Sequence, residues 1–261
     1  MIIDIHVHPP AVPAKRSLIG TPGETAARML AAADRAGINA LCILGRFWPY
    51  PDEEGIRQIN DATLALVRSR PDRLYGLCFL NPTLPARFLL AELDRCLDAG
   101  LRGVKLEYEV NARDARLDPI LKKVTERGVF LLHHAWYKTV GKCAHESDPS
   151  DIAHLAERHP RAQIVMAHLT ACGMRGVLDI QGFENVWVDT SGSQPFSGMV
   201  EYAVNKLGSD RVLFGSDAPI RDFAAQLGRV QGAQLTEAQR RRILGGNAAR
   251  LLKLDAGRLS Q

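Results

Sequence analysis

No run of about 18 consecutive apolar residues occurs anywhere in the 261-residue chain, which argues against a transmembrane helix. The opening MIIDIHVHPP carries Asp4, His6 and His8 where a secretory signal would place a basic flank and an apolar core. Cysteine is sparse and odd in number, five in all, with no C-x-x-C pair. Cys42 and Cys78 lie in strand-like apolar runs and Cys96 on a helical segment, so reduced thiols in a cytoplasmic protein are expected, not a disulfide framework. The excess of basic over acidic residues is small, 33 against 29, and no basic stripe alternates with aromatics. Nucleic-acid binding and membrane association are therefore not expected, and Arg240-Arg241-Arg242 reads as a solvated helix face. Interdomain linkers, low-complexity tracts and long repeats are also missing, which leaves a single domain over residues 1–261.

Eight short apolar runs recur along the chain, at 2–7, 38–44, 74–80, 102–107, 129–133, 163–167, 185–189 and 211–215. Amphipathic stretches at 24–36, 56–69, 86–98, 117–127, 150–158, 199–207 and 222–230 separate them, and a further one at 236–253 follows the last. Strands alternating with helices imply βαβ units and a parallel sheet. Eight units in this length fit an α/β fold, a single (β/α)8 TIM barrel with a C-terminal extra helix. Connections into strands are short, such as Ala36-Gly37 and Arg127-Gly128. Those leaving strands, at 8–23, 45–55, 81–85, 108–118, 134–149 and 190–198, are mostly long and rich in Pro and Gly. In a barrel the latter all open on one face, where active sites are built.

Metal-competent side chains gather at those strand ends. His6 and His8 are two apart on the first strand, so both point to one face of it, as does Asp4. His168 follows the sixth run and Asp217 the eighth, while His133 and His134 compete at the end of the fifth. Neighbours on a strand point opposite ways, and periodicity does not choose between them. Imidazoles with one or two carboxylates suit Zn²⁺ first, and also Mn²⁺, Fe²⁺ or Ni²⁺. His154 and His159 read as structural or solvated, and the role of His145 stays open. Cys172 has no identifiable base partner, which argues against a nucleophilic role.

D-x-H-x-H at the N-terminus, His134 before AWYK, the A-H-L-T-A-C-G around His168 and the L-F-G-S-D-A-P around Asp217 together resemble the amidohydrolase superfamily. The nearest branch is similar to the TIM-barrel metal-dependent hydrolases related to aminocarboxymuconate semialdehyde decarboxylase, and the closing G-G-N-A-A-R-L-L also resembles that branch. The resemblance spans essentially the whole chain. It implies that His6, His8, His134 and Asp217 bind one divalent metal, most often zinc, and it favours His134 over His133. It also implies that His168 stays off the metal as an acid–base group, with Asp217 able to pass a proton. Some superfamily members carry a carbamylated lysine on the fourth strand. Lys105 could take that part with Glu107 as a second-metal carboxylate, although a simple Lys105 ion pair or substrate contact is the plainer reading.

Several exit-loop residues are candidates for the substrate pocket. Arg46 and Arg221 could hold a substrate carboxylate in bidentate geometry. Trp48, Tyr50, Trp136 and Tyr137 could wall an apolar pocket. Glu146 is either a pocket carboxylate or an exposed neighbour of a helix cap at Ser147 or Asp148. The first functional expectation is hydrolysis of a small carboxylated ester, lactone or amide by metal-activated water. A non-oxidative decarboxylase of a small unsaturated or aromatic acid, using the same metal site, is the alternative, and a non-catalytic ligand-binding barrel the second. A small molecule is the expected partner. Barrels of this kind often pair, which leaves a homodimer among the open assembly states.

Overall fold

In the computed structural model, residues 1–12, 17–194 and 196–254 are described, and the alternating pattern resolves into parallel strands and outer helices. The expected exit loops 8–23 and 190–198 lie partly outside the described residues. β1 (Ile3–Val7) is followed by a short antiparallel hairpin, β2 (Ala11–Val12) with β3 (Ser17–Leu18), and by α1 (Pro22–Arg35). Next come β4 (Ala40–Ile43), α2 (Glu53–Ser69), a third stave broken at Leu77 into β5 (Leu74–Gly76) and β6 (Cys78–Phe79), and α3 (Ala86–Asp98). The chain continues with β7 (Gly103–Leu106), α4 (Asp118–Arg127), β8 (Phe130–His133) and α5 (Pro149–Arg158). It completes the barrel with β9 (Gln163–Met166), α6 (Leu169–Ile180), β10 (Val186–Asp189), α7 (Met199–Leu207), β11 (Val212–Leu213) and α8 (Phe223–Gln231). After α8 come α9 (Glu237–Arg241), a π-helical turn over Arg242–Gly246, and α10 (Asn247–Leu251).

Parallel pairing runs β1–β4–β5 and β6 through β11 in order. Closure comes from Ile5 N donating to Phe214 O at 3.0 Å, Asp217 N to His6 O at 2.8 Å and His8 N to Ala218 O at 2.7 Å. Inside the barrel, Ile5, Cys42, Leu44, Leu77, Phe130, Leu132, Val165 and Leu213 form one buried cluster. Their strand neighbours Leu41, Ile43, Leu131, Ile164, Met166 and Val212 belong to a second cluster shared with the helices, as a two-residue period requires.

The C-terminal segment closes the end away from the exit loops. Ala248, Ala249, Leu251 and Leu252 join the interior cluster as a plug. A side chain at Gly245 would put its Cβ 2.3 Å from the Met1 carbonyl oxygen, so this approach tolerates only glycine. The single helix expected over 236–253 is thus two helices around a π-helical turn. α6 was not expected from the pattern. Its sequence LTACGMRGVLDI holds two glycines, and Gly173 sits at φ 67 inside it, so low propensity hides the helix from a periodicity reading. Among the described residues, no helix is long and apolar enough to cross a membrane.

Candidate metal centre

The strand ends on the exit-loop face bring His6, His8, Lys105, Glu107, His134, His168, Asp189 and Asp217 together, all of them buried. Ligand atoms of His6, His8 and Asp217 lie within 4.8 Å of one another, and the same holds for His6, His168 and Asp189. His134 joins neither group among the described residues. Its Nδ1 instead lies 3.2 Å from His168 Nε2 and 3.6 Å from Glu107 Oε2.

Regular alternation does not carry through β1. Its pairing with β4 shifts register between Asp4 and Val7, and Val7 packs outside the barrel while Ile3 and Ile5 pack inside. Asp4 therefore does not join the imidazoles. Its Oδ1 accepts the backbone N–H groups of His6 and Ser216, each at 3.0 Å, tying β1 to the loop after β11. Burial pushes this carboxyl up to about 7 against those hydrogen bonds. On β8 the alternation does hold. His134 shares the parity of Phe130 and Leu132 inside, and His133 that of Leu131 outside. His133 Nδ1 donates to the His134 carbonyl at 2.6 Å, and burial lowers its pKa to about 4.

Hydrogen bonding assigns the tautomer of each imidazole. Carboxylate and carbonyl oxygens only accept, so a ring nitrogen hydrogen-bonded to one carries the proton, whereas contacts of 3.5 Å and more to Glu107 and Asp217 are too long to hold one. His6 Nδ1 donates to Asp189 at 2.8 Å, His8 Nδ1 to the Gly45 carbonyl at 2.9 Å, and His134 Nε2 to Glu146 at 2.8 Å. The Ser191 hydroxyl donates to Asp189, which leaves its oxygen to accept His168 Nδ1–H at 2.7 Å. Four lone-pair nitrogens thus face one space, and His6 Nε2 is buried there without a partner. Lone pairs so arranged repel one another unless a cation lies between them, and outer partners of this type hold metal-ligating histidines. The donor set fits a divalent metal.

The charges agree with that fit. Burial disfavours charge on His6, yet the Asp189 and Asp217 carboxylates together outweigh it and raise the pKa, so the pocket favours positive charge at this ring. Burial, with His6 and His134 beside it, holds His168 neutral, well below its ordinary value. Lys105 Nζ pairs with Glu107 Oε1 at 3.1 Å, the plainer of its expected roles. Burial of Glu107 opposes ionisation, but Lys105 and His134 prevail and bring it down to about 2. His168 at φ 71 and Asp217 at φ 63 occupy left-handed backbone that non-glycine residues seldom adopt. Such conformations concentrate at functional sites.

Around the imidazoles stands an aromatic wall. The Trp136 ring lies 5.4 Å from that of His168 and 6.3 Å from that of His134, and Tyr108 lies 6.1 Å from His134. Phe47, at 5.9 Å from Tyr108, extends it outward. Arg46 is buried, its guanidinium 4.7 Å from the Trp48 ring centroid, and Arg221 has a buried Nε without a hydrogen-bond partner. Asp148 caps α5, while Glu146 is not an exposed neighbour but only 1% exposed. Burial pushes the Cys172 thiol up, in keeping with an inert side chain. Asp189, Ser191 and Tyr108 are the residues that sequence reasoning passed over. Asp189 ends the seventh apolar run, so the strand-end rule that found Asp217 could have found it.

Solved structures share this architecture. 5-Carboxyvanillate decarboxylase from Sphingomonas paucimobilis aligns with a TM-score of 0.77 at 18% identity, covering 97% of this chain and 99% of that one. 2,6-Dihydroxybenzoate decarboxylase from Rhizobium gives 0.76 at 20% identity, covering 98% of each. A dihydroxybenzoic acid decarboxylase from a Polaromonas species, with bound manganese and the inhibitor 2-nitroresorcinol, gives 0.80 at 19% identity, covering 100% of this chain and 99% of that one. The amidohydrolase family model matches residues 3–254, and with the fold and the strand-end donors this establishes that the chain belongs to the amidohydrolase family.

Proposed function

We propose that this protein is a metal-dependent, non-oxidative decarboxylase of a small aromatic or conjugated carboxylic acid. The aromatic wall of Trp136 and Tyr108 against His134 and His168 carries the reading, because a planar ring can stack there beside the imidazoles. The decarboxylase activities named for the three solved structures support it over the hydrolysis first expected. His6, His8, His134 and Asp217 would hold the metal. A divalent cation bound by them supplies Lewis acidity for substrate oxygens. Manganese in the Polaromonas structure makes it as natural a candidate as zinc.

The chain's own groups handle orientation and the proton. Arg46, with Arg221 as the second candidate, would hold a substrate carboxylate, and Trp136 would keep the ring in place. As the carbon–carboxylate bond breaks, its electron pair stays on the ring carbon, carbon dioxide leaves, and that carbon takes one proton. His168 Nε2 would carry this proton, taken from a substrate hydroxyl and passed to the ring carbon, since Ser191 accepts the opposite N–H and leaves Nε2 its lone pair. Metal-loaded protein should therefore release carbon dioxide from hydroxylated benzoates, and His168→Asn should stop release while retaining metal. Turnover of lactones or esters without carbon dioxide would return the reading to hydrolysis. Metal binding with no turnover of either class would indicate a ligand-binding barrel.

A further inference from the structure

The outer nitrogen of His134 is held by the long loop after β8. Glu146 Oε1 accepts both His134 Nε2 and Lys138 Nζ at 2.8 Å, and its Oε2 accepts Cys143 N at 3.1 Å. Three donors converge on one carboxylate that is only 1% exposed. Lys138 Nζ also lies 5.0 Å from the Trp136 ring centroid, and Trp136 N donates to the Ser147 carbonyl at 2.9 Å. The loop is thus folded back on itself, with the Glu146–Lys138 pair joining the β8 histidine to the aromatic wall. Because the carboxylate can only accept, the ring proton belongs on Nε2 and the lone pair on Nδ1.

We propose that Glu146, held by Lys138, is a positioning residue that fixes His134 in the Nε2–H tautomer, so that His134 offers Nδ1 to a divalent cation and metal affinity depends on the loop carrying Trp136. Two acceptors face this ring, Glu146 at 2.8 Å from Nε2 and His168 Nε2 at 3.2 Å from Nδ1, and the nearer, charged carboxylate takes the proton, whereas the metal half rests on the proposed role of His134 as a ligand. The test uses the full-length protein stripped of metal. Long-range ¹H–¹⁵N correlation reads the His134 ring, identified by the signals lost in His134→Asn. A proton on Nε2 is expected in the wild type and in Glu146→Gln, which keeps an acceptor oxygen, and a mixture in Glu146→Ala. Titration with Mn²⁺, followed by electron paramagnetic resonance, should then show about 10–100-fold weaker binding in Glu146→Ala, with Glu146→Gln in between. A wild-type His134 protonated on Nδ1 would overturn the proposal, as would Glu146→Ala with unchanged tautomer and affinity. Should Glu146→Ala fail to fold, Lys138→Met, whose side chain is 26% exposed, carries the test. Weaker Mn²⁺ binding with a mixed tautomer supports the proposal, and no change in either refutes it. Neither readout requires turnover, so absence of decarboxylation would count against the proposed reaction and leave this result standing.

Discussion

Asp189→Asn separates the structural from the metal-organising work of one buried carboxylate. Asp189 accepts His6 Nδ1 at 2.8 Å, His168 N at 3.1 Å, Ser191 N at 3.0 Å and the Ser191 hydroxyl. The three bonds from His168 and Ser191 go to Oδ1, which asparagine retains. The bond from His6 goes to Oδ2, which becomes an amide NH₂ facing an imidazole N–H. Two donors at that distance repel, and the cheapest relief moves the His6 proton to Nε2, the nitrogen that faces Asp217 at 3.5 Å. Asparagine should therefore cost about 1–3 kcal/mol of stability while weakening metal binding about 10–100-fold. Alanine orphans every donor and should cost more, about 3–5 kcal/mol, as when one partner of a buried pair is removed. Urea unfolding in chelator measures the first effect, and Mn²⁺ titration of the folded variants the second. Wild-type Mn²⁺ affinity in Asp189→Asn would refute the tautomer reasoning.

Three further predictions concern other residues of the barrel. Ser191→Ala should lower kcat about 10–100-fold with Mn²⁺ affinity unchanged, and Ser191→Thr should restore it; an equal loss of metal would make Ser191 merely structural. His133 has a native pKa of about 4 against 6.5 for the free side chain, so below pH 6.5 the unfolded chain binds a proton that the native state refuses. Stability should fall by up to about 3 kcal/mol from pH 6.5 to 4 and level off below, and thermal melts of His133→Asn in chelator should lack this slope. A Cβ at Gly215 would lie 2.9 Å from the His6 Cβ and 3.1 Å from the Asp189 Cβ. Gly215→Ala should thus cost about 1–3 kcal/mol and weaken Mn²⁺ binding, with unfolding curves and titration deciding.

Much of the barrel is legible one segment at a time. The runs IIDIHV, VFLLH and QIVMA announce strands through local apolar composition, and a strand's end announces which residues reach the exit face. That rule located His6, His8, His168 and Asp217 from sequence, because a parallel barrel carries every strand's carboxyl end to the same side. It faltered where local order breaks. The register shift after Asp4 removed that carboxyl from the cluster, and the glycines of α6 concealed a helix.

Residue identity along the chain determined the donor types, their order and the face on which they gather, since these depend on periods of two and on the βα repeat. Only the tertiary structure decided which nitrogen of each imidazole is free, that Lys105 pairs with Glu107, and that Glu146 reaches back to His134 across twelve residues. It also brought Asp189 and Ser191 under His6 and His168, at sequence separations of 183 and 23. A tautomer is set by whichever acceptor lies within about 3 Å of a ring nitrogen. Barrel closure supplies that neighbour, and no local pattern in the chain encodes it.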